Sequence, residues 1–260
     1  MGIVNITPDS FADGGRFFDR GDAISLAMKL VEEGADIIDI GGESSRPGAA
    51  SVPAGEELAR VLPVLRAMRD VPVPVSVDTV KPEVMRAVLD EGAAMINDIT
   101  ALSAHGALEA VAASNCAVCL MHMQGEPRTM QASPRYDDVV REVRAYLGGR
   151  AKVVELAGVG RDRIVIDPGF GFGKSVQHNL ALLRRLDEFH ELGLPLLAGW
   201  SRKSSLGKIT GRPADGRLAA SLAAAVLALE RGAQLLRVHD VAATRDAVSV
   251  FCACRDGYAE

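Results

Sequence analysis

Cysteine is scarce, long apolar runs are missing, and basic residues never cluster. Four cysteines in 260 residues are too few to staple a chain of this size, which excludes a disulfide framework. Cys116 and Cys119 form a C-x-x-C, but in the extended run Cys116-Ala117-Val118-Cys119-Leu120 they point to opposite faces. They read as buried, reduced thiols in a cytoplasmic protein. No apolar run approaches the roughly 20 residues of a membrane span. There is no Lys/Arg block among 29 basic and 34 acidic residues, and the net charge is −5, so nucleic acid and anionic membranes are not expected partners. Met1-Gly2-Ile3-Val4-Asn5 carries neither a basic region nor a cleavage site, and no signal peptide is expected.

With 48% hydrophobic and 24% charged residues, the chain can bury a large core. Its length fits one α/β domain over residues 1–260 as well as two small ones. Apolar strand-like runs are expected near Ile3–Ile6, Ile37–Ile40, Val73–Val77, Met95–Ile99, Ala117–Met121, Ile164–Ile166, Leu194–Ala198 and Leu235–Val238. Amphipathic helical stretches follow them, near Ala23–Glu33, Gly55–Arg69, Pro82–Glu91, Leu108–Ser114, Asp137–Leu156, Asn179–Leu192, Leu218–Arg231 and Val241–Ala253. Such alternation implies parallel strands with helical crossovers. Eight units predict a single (β/α)8 TIM barrel rather than a doubly wound open sheet.

A weak internal repeat supports the count. Glu33-Gly34-Ala35, Glu91-Gly92-Ala93 and Arg231-Gly232-Ala233 each end a helical stretch, with glycine suited to a left-handed helix stop. Five residues after each glycine stands a polar strand-end residue: Asp39, Asn97 and Arg237. In a barrel that height is the C-terminal rim, where active sites lie. The other strand ends contribute Asn5, Asp78, Asp98, His122, Asp167, Ser201-Arg202-Lys203 and His239. Burying so many polar groups without partners is costly, so the ring points to a ligand. Asp39 and Asp98 are the members best explained by orienting loop backbone.

The ring divides by sign. Asp78, Asn97, Asp167 and Lys203 suit a flat heteroaromatic with an amidine-like edge, since a carboxylate accepts two parallel N–H bonds. Arg46, Arg237 and His239 suit phosphate or pyrophosphate. Asn5 and Asp13 are candidate ligands for Mg²⁺ beside phosphate oxygens. Asp167 tips a short buried strand and leads into Pro168-Gly169-Phe170-Gly171-Phe172-Gly173-Lys174-Ser175. That segment is no phosphate-binding P-loop, because the first glycine the pattern needs is Pro168. Lys174 likewise breaks the dinucleotide pattern. His122 lacks a second His or Cys at ligand spacing, which argues against zinc.

Taken in order, Asn5-Ile6-Thr7-Pro8-Asp9-Ser10-Phe11-Ala12-Asp13-Gly14-Gly15 and Asp39-Ile40-Gly41-Gly42-Glu43-Ser44-Ser45-Arg46-Pro47-Gly48 resemble the two long signatures of the dihydropteroate synthase family. Ser76-Val77-Asp78-Thr79, Ile96-Asn97-Asp98-Ile99, Met121-His122-Met123-Gln124-Gly125, the Asp167–Lys174 segment, Ser201-Arg202-Lys203-Ser204 and Arg237-Val238-His239-Asp240 complete the set over nearly the whole chain. The resemblance implies a folate-pathway transferase. It would join 6-hydroxymethyl-7,8-dihydropterin pyrophosphate to 4-aminobenzoate, releasing pyrophosphate and forming 7,8-dihydropteroate. Carried over by position, Asp78, Asn97, Asp167 and Lys203 would hold the pterin. Asn5, Arg46, Arg237 and His239 would hold the pyrophosphate, with Asn5 and Asp13 near Mg²⁺. Phe11, Pro47, Phe172, Ser201 and Lys203 would shape the aminobenzoate pocket, with Ser45 and Met121 as further substrate contacts. Asp167, Lys203, Arg237 and His239 would carry the chemistry. A homodimer through outer helices is implied, with Leu218–Leu227 either one candidate surface or, equally, a helix packed wholly on the barrel.

Two departures stand out. Ser45 occupies a position where the family usually has Thr, and Trp200 is bulkier than the family residue, either narrowing the site or packing beneath it. The alternatives are a pterin-binding paralogue without turnover and a methyltetrahydrofolate-dependent corrinoid methyltransferase. The second has no need of Ser201-Arg202-Lys203 or the two long loops.

Overall fold

The computed structural model describes residues 1–7, 20–44 and 48–257. Six parallel strands run in sequence order: β1 (Gly2–Asn5), β2 (Ile38–Gly41), β3 (Val75–Asp78), β4 (Met95–Asp98), β5 (Ala117–Met121) and β6 (Ile164–Asp167). β7 (Leu197–Ala198) pairs in parallel with β8 (Leu235–Leu236). Isolated parallel bridges link Ile166 to Leu196 and Gly2 to Val238. At the second seam Ile3 N–H donates to Val238 O at 3.0 Å and Val238 N–H to Met1 O at 3.0 Å. The architecture is the (β/α)8 barrel that the alternation predicts, with thin ladders on either side of β7–β8.

The helices are α1 (Arg20–Glu32), α2 (Ala54–Ala67), α3 (Pro82–Asp90), α4 (Ala107–Ala112), α5 (Val139–Leu156), α6 (Val176–Arg184), α7 (Ser204–Thr210), α8 (Leu218–Glu230) and α9 (Val241–Asp256). Gly34, Gly92 and Gly232 sit at φ 89°, 95° and 85°, the left-handed stops that the repeat implies. After Gly34, for example, Ala35 N–H reaches Leu30 O and Gly34 N–H reaches Val31 O, both at 2.9 Å. This double bond satisfies the last carbonyls of α1 and turns the chain into β2.

Several boundaries differ from expectation for local chemical reasons. β3 begins after Pro74 and β7 after Pro195, because proline has no N–H for the ladder. Leu196 N–H donates instead to Gln234 Oε1 at 2.8 Å. α6 starts three residues earlier than its apolar pattern, since Ser175 Oγ caps His178 N–H at 3.1 Å and Ser175 N–H donates back to His178 Nδ1 at 3.3 Å. The stretch read as one helix to Leu192 breaks at Arg185 and continues as a 3-10 turn, Leu186–Leu192. α7 was not expected, because two turns interrupted by Gly207 carry little periodic signal.

Strand alternation sorts the core into two layers. Val4, Ile40, Val77, Ile96, Val118 and Ile166 belong to the large cluster shared with the helices. Met95, Cys119 and Leu197 form a small inner cluster with Ala117, Val165 and Leu235. Cys116 lies in the outer cluster and Cys119 in the inner one, on opposite faces as their spacing requires, and all four cysteines are free thiols. Above the inner cluster the inward positions become polar, which positions the site.

The loop after β6 approaches β5 backbone to backbone. Gly169 has φ 70°, and a Cβ there would stand 2.0 Å from His122 O. Gly92 has φ 95° with nothing within 4 Å of its added Cβ. Gly169→Ala should therefore cost about 3 kcal/mol or more, combining backbone strain with a clash. Gly92→Ala carries strain alone and should cost about 1 kcal/mol. Chemical denaturation of both variants measures the difference, and equal losses would contradict the close approach.

Candidate active site

A cavity of about 710 Å³ opens at the C-terminal ends of the strands. Asn5, Asp78, Asn97, Met121, Asp167, Phe172, Ser201, Lys203, Arg237 and His239 all line it. Residues scattered over most of the chain thus meet at one rim. Phe11, Asp13, Ser45, Arg46 and Pro47 lie outside the described residues.

The floor is a charge network. Arg237, projecting from the end of β8, donates through Nε to Asp39 Oδ2 at 2.6 Å and through Nη2 to Asp78 Oδ2 at 3.0 Å. Asn97 Nδ2 reaches the same Asp39 oxygen at 3.2 Å. Asp39 is fully buried and one layer below the rim, so it serves Arg237 rather than a loop. Arg237 therefore stands between the two groups that the sequence separates by sign. Asp98 does anchor a loop, accepting from Thr100 N–H and Thr100 Oγ1, each at 2.7 Å, and from Leu102 N–H at 2.9 Å. His122 does not line the cavity; its ring lies edge-on to Tyr146 at 5.0 Å and its Nδ1 contacts Lys174.

Burial moves Asp78, Asp167 and Lys203 toward neutrality. Asp78 is raised to about 7, chiefly by desolvation and against the pull of Arg237. Asp167 is also raised by burial, opposed by Gly169 N–H, which donates to Oδ1 at 2.7 Å, and by Lys203. Lys203 is lowered to about 8, again mainly by burial, although Asp167 counteracts it. Its Nζ sits 4.3 Å from the Phe172 ring centroid, a cation–π distance.

Ser201 and His239 form a pair. His239 N–H donates to Ser201 Oγ at 3.1 Å, and Ser201 Oγ is 2.9 Å from His239 Nδ1. Burial lowers His239 to about 3, helped by Arg202, Arg237 and Lys203. A neutral ring accepting the serine proton at Nδ1 carries its own N–H on Nε2. His239 thus offers one hydrogen bond rather than a third positive charge.

The loop geometry of Arg202 and the placement of Lys174 were not legible in the sequence, and of the two alternatives for Trp200 the structure shows the second. Arg202 adopts φ 57°, and its guanidinium grips Asp240 at 3.0 and 2.5 Å, which fixes the loop between Ser201 and Lys203. Trp200 is buried against Phe170, ring centroids 4.7 Å apart, and does not line the cavity; it packs beneath the site. Lys174 is buried behind the Gly-rich loop. Its only sequence signal is a lysine directly after a glycine-dense stretch.

Among the described residues no cluster of three His, Cys, Asp or Glu could cage a metal. Asn5 lines the cavity, and its side chain carries an amide oxygen, a hard donor of the type Mg²⁺ accepts alongside phosphate oxygens and water.

Residues 1–239 match the family described as pterin binding enzyme. The dihydropteroate synthase of Escherichia coli (strain K12) is 52% identical over 251 residues, covering 96% of this chain and 89% of that protein. The Xanthomonas albilineans dihydropteroate synthase with 4-aminobenzoic acid superposes with a TM-score of 0.92 at 54% identity, covering 98% of this chain and 92% of the other. The same enzyme in complex with 7,8-dihydropteroate gives a TM-score of 0.88 at 50% identity, with 98% and 92% coverage. The chain belongs to this family of pterin-binding enzymes.

The raised Asp78 has a measurable consequence. Folding favours its protonated form, so its stabilising contribution is present below the ordinary carboxylate value of 3.8 and is lost as pH rises through about 7. Asp78→Asn removes that dependence. Thermal unfolding at about pH 5.5 and about pH 8 should show a smaller spread in the variant than in the parent; an equal spread would contradict the assignment.

Proposed function

We infer that this protein is a dihydropteroate synthase, a transferase that condenses 6-hydroxymethyl-7,8-dihydropterin pyrophosphate with 4-aminobenzoate to give 7,8-dihydropteroate and pyrophosphate. The observation that carries the reading is the convergence of Asp78, Asn97, Asp167, Lys203 and Arg237 on one cavity, in a chain half-identical to named synthases. The whole chain acts as one barrel domain.

In this reading Asp78, Asn97, Asp167 and Lys203 hold the pterin. The N–H edge of the ring meets Asp78 and Asp167 carboxylates that burial has left short of donors, and it stabilises their charged forms. As the pterin takes Asp78, Arg237 is released to turn toward the pyrophosphate, where His239 adds its Nε2 N–H and Arg46 a second guanidinium. Asn5 and Asp13 would hold Mg²⁺, which when bound would supply positive charge beside the pyrophosphate. Phe172, Ser201 and Lys203, with Phe11 and Pro47, would shape the aminobenzoate pocket, and Ser45 and Met121 would make further substrate contacts.

The bond between the pterin methylene and pyrophosphate breaks, and its electron pair leaves on oxygen. The resulting cation is delocalised into the ring and offset by Asp167. The arylamine nitrogen then bonds to the methylene and loses a proton. No nucleophilic side chain is required, so the work is positioning and charge stabilisation, a contribution of several kcal/mol. The exposed apolar positions of α8, Leu218 and Leu227, support a homodimer through that helix. The absence of a helix long and apolar enough to cross a membrane, among the described residues, and the free thiols are compatible with a cytoplasmic enzyme.

The test is pyrophosphate release from dihydropterin pyrophosphate with Mg²⁺, with and without 4-aminobenzoate. Release together with dihydropteroate formation, lost in Asp78→Asn, is the expected result. Tight pterin binding that Asp78→Asn abolishes, without release, would instead identify a binding paralogue.

A further inference from the structure

Lys174 is 3% exposed, and its ammonium does not reach the cavity. It lies among four acceptors: His122 Nδ1 at 2.9 Å, Gly169 O at 2.9 Å, Phe172 O at 3.0 Å and His122 O at 3.2 Å. Three N–H donors are fully occupied by this shell. None of the four is a carboxylate, so the ammonium's hydrogen-bonded shell is made of neutral dipoles. Burial accordingly lowers Lys174 to about 7, with Asp167 opposing and Lys203 assisting. An amine buried at such expense beside a ligand cavity marks a functional position more than a stabilising one.

The acceptors show what the ammonium does. Two carbonyls belong to the loop after β6 and one to the end of β5. Where Gly169 brings these backbones together, His122 O faces the loop and Lys174 supplies donors between them. His122 can accept because its ring is neutral, lowered to about 3 by burial and by Lys174 itself. The same loop carries Phe172 beneath Lys203 Nζ, and Gly171 backs the Lys203 stem, its added Cβ falling 3.4 Å from Cδ. Asn179 Oδ1 holds Gly171 N–H from the far side at 2.7 Å.

We propose that Lys174 is a positioning residue for the arylamine half of the reaction: its ammonium fastens the loop to the end of β5 and thereby sets Phe172 and Lys203 as one wall of the aminobenzoate pocket. The proposal rests on the assignment of Phe172 to that pocket. Lys174 touches no substrate and acts only through the loop backbone.

The experiment is a double-mutant cycle on the full chain, with Lys174→Met, Phe172→Ala and the two combined. Steady-state kinetics vary each substrate in turn, and thermal unfolding is followed in parallel. Phe172→Ala should raise the KM for 4-aminobenzoate about tenfold or more, with the KM for dihydropterin pyrophosphate changed less than about threefold. Lys174→Met should reproduce that selectivity, and the double variant should be within about twofold of Phe172→Ala, because both changes act through one wall. Should Lys174→Met fail to fold, Lys174→Gln, whose amide keeps two N–H donors for the same carbonyls, should raise the same KM by a smaller factor and leave the other unchanged. Multiplicative losses in the double variant, or equal rises in both KM values from the Lys174 change, would overturn the proposal. An unchanged aminobenzoate KM in Phe172→Ala would overturn the pocket assignment instead.

Discussion

The guanidinium of Arg237 is the interaction on which the interior depends. It reaches across the barrel from the end of β8 to Asp39 on β2 and Asp78 on β3, and Asn97 on β4 joins through Asp39. Removing one partner from a buried ion pair leaves an uncompensated charge at a cost of about 3–5 kcal/mol. The network therefore ties β8, whose ladder is only two residues long, to the continuous side of the sheet. It also holds Arg237 at the floor of the cavity between Asp39 and Asp78.

The same burial that makes the network costly makes it responsive. Asp78 and Asp167 are pushed up, Lys203 and His239 down. Each group lacks part of the solvation that a flat, donor-rich ring and a phosphate group would restore. The two departures from the family pattern bear on this unequally. Trp200 lies under the site against Phe170 and is not itself part of the cavity wall, while Ser45 lies outside the described residues.

Much of this was legible in the sequence. The alternation of apolar runs and helical stretches, and the glycine stops with polar residues five positions on, lead to the barrel and its rim. The direction of side chains at that rim was less legible. Met121 and His122 both end β5, yet only Met121 faces the cavity; Asn97 faces in and Asp98 turns out to its loop. Period-two alternation separates each pair once one inward residue of the strand is known, and the apolar runs alone do not say which that is. Lys174 was illegible for another reason. Three of its four partners are backbone carbonyls brought together by a left-handed turn at Gly169, and backbone acceptors leave no trace in side-chain pattern. Short elements such as β7 and α7 were blurred by Pro195 and Gly207, which weaken the periodic signal where the chain bends.

If Arg237 is shared between carboxylates and phosphate, occupation of the two halves of the site must be coupled. The direct measurement is calorimetric: the affinity of pyrophosphate with Mg²⁺, in the absence and presence of a saturating pterin. The pterin, by taking Asp78, should free Arg237 and tighten pyrophosphate about tenfold, with reciprocal tightening of the pterin. The same affinity in both conditions would show two independent half-sites and contradict the sharing of Arg237.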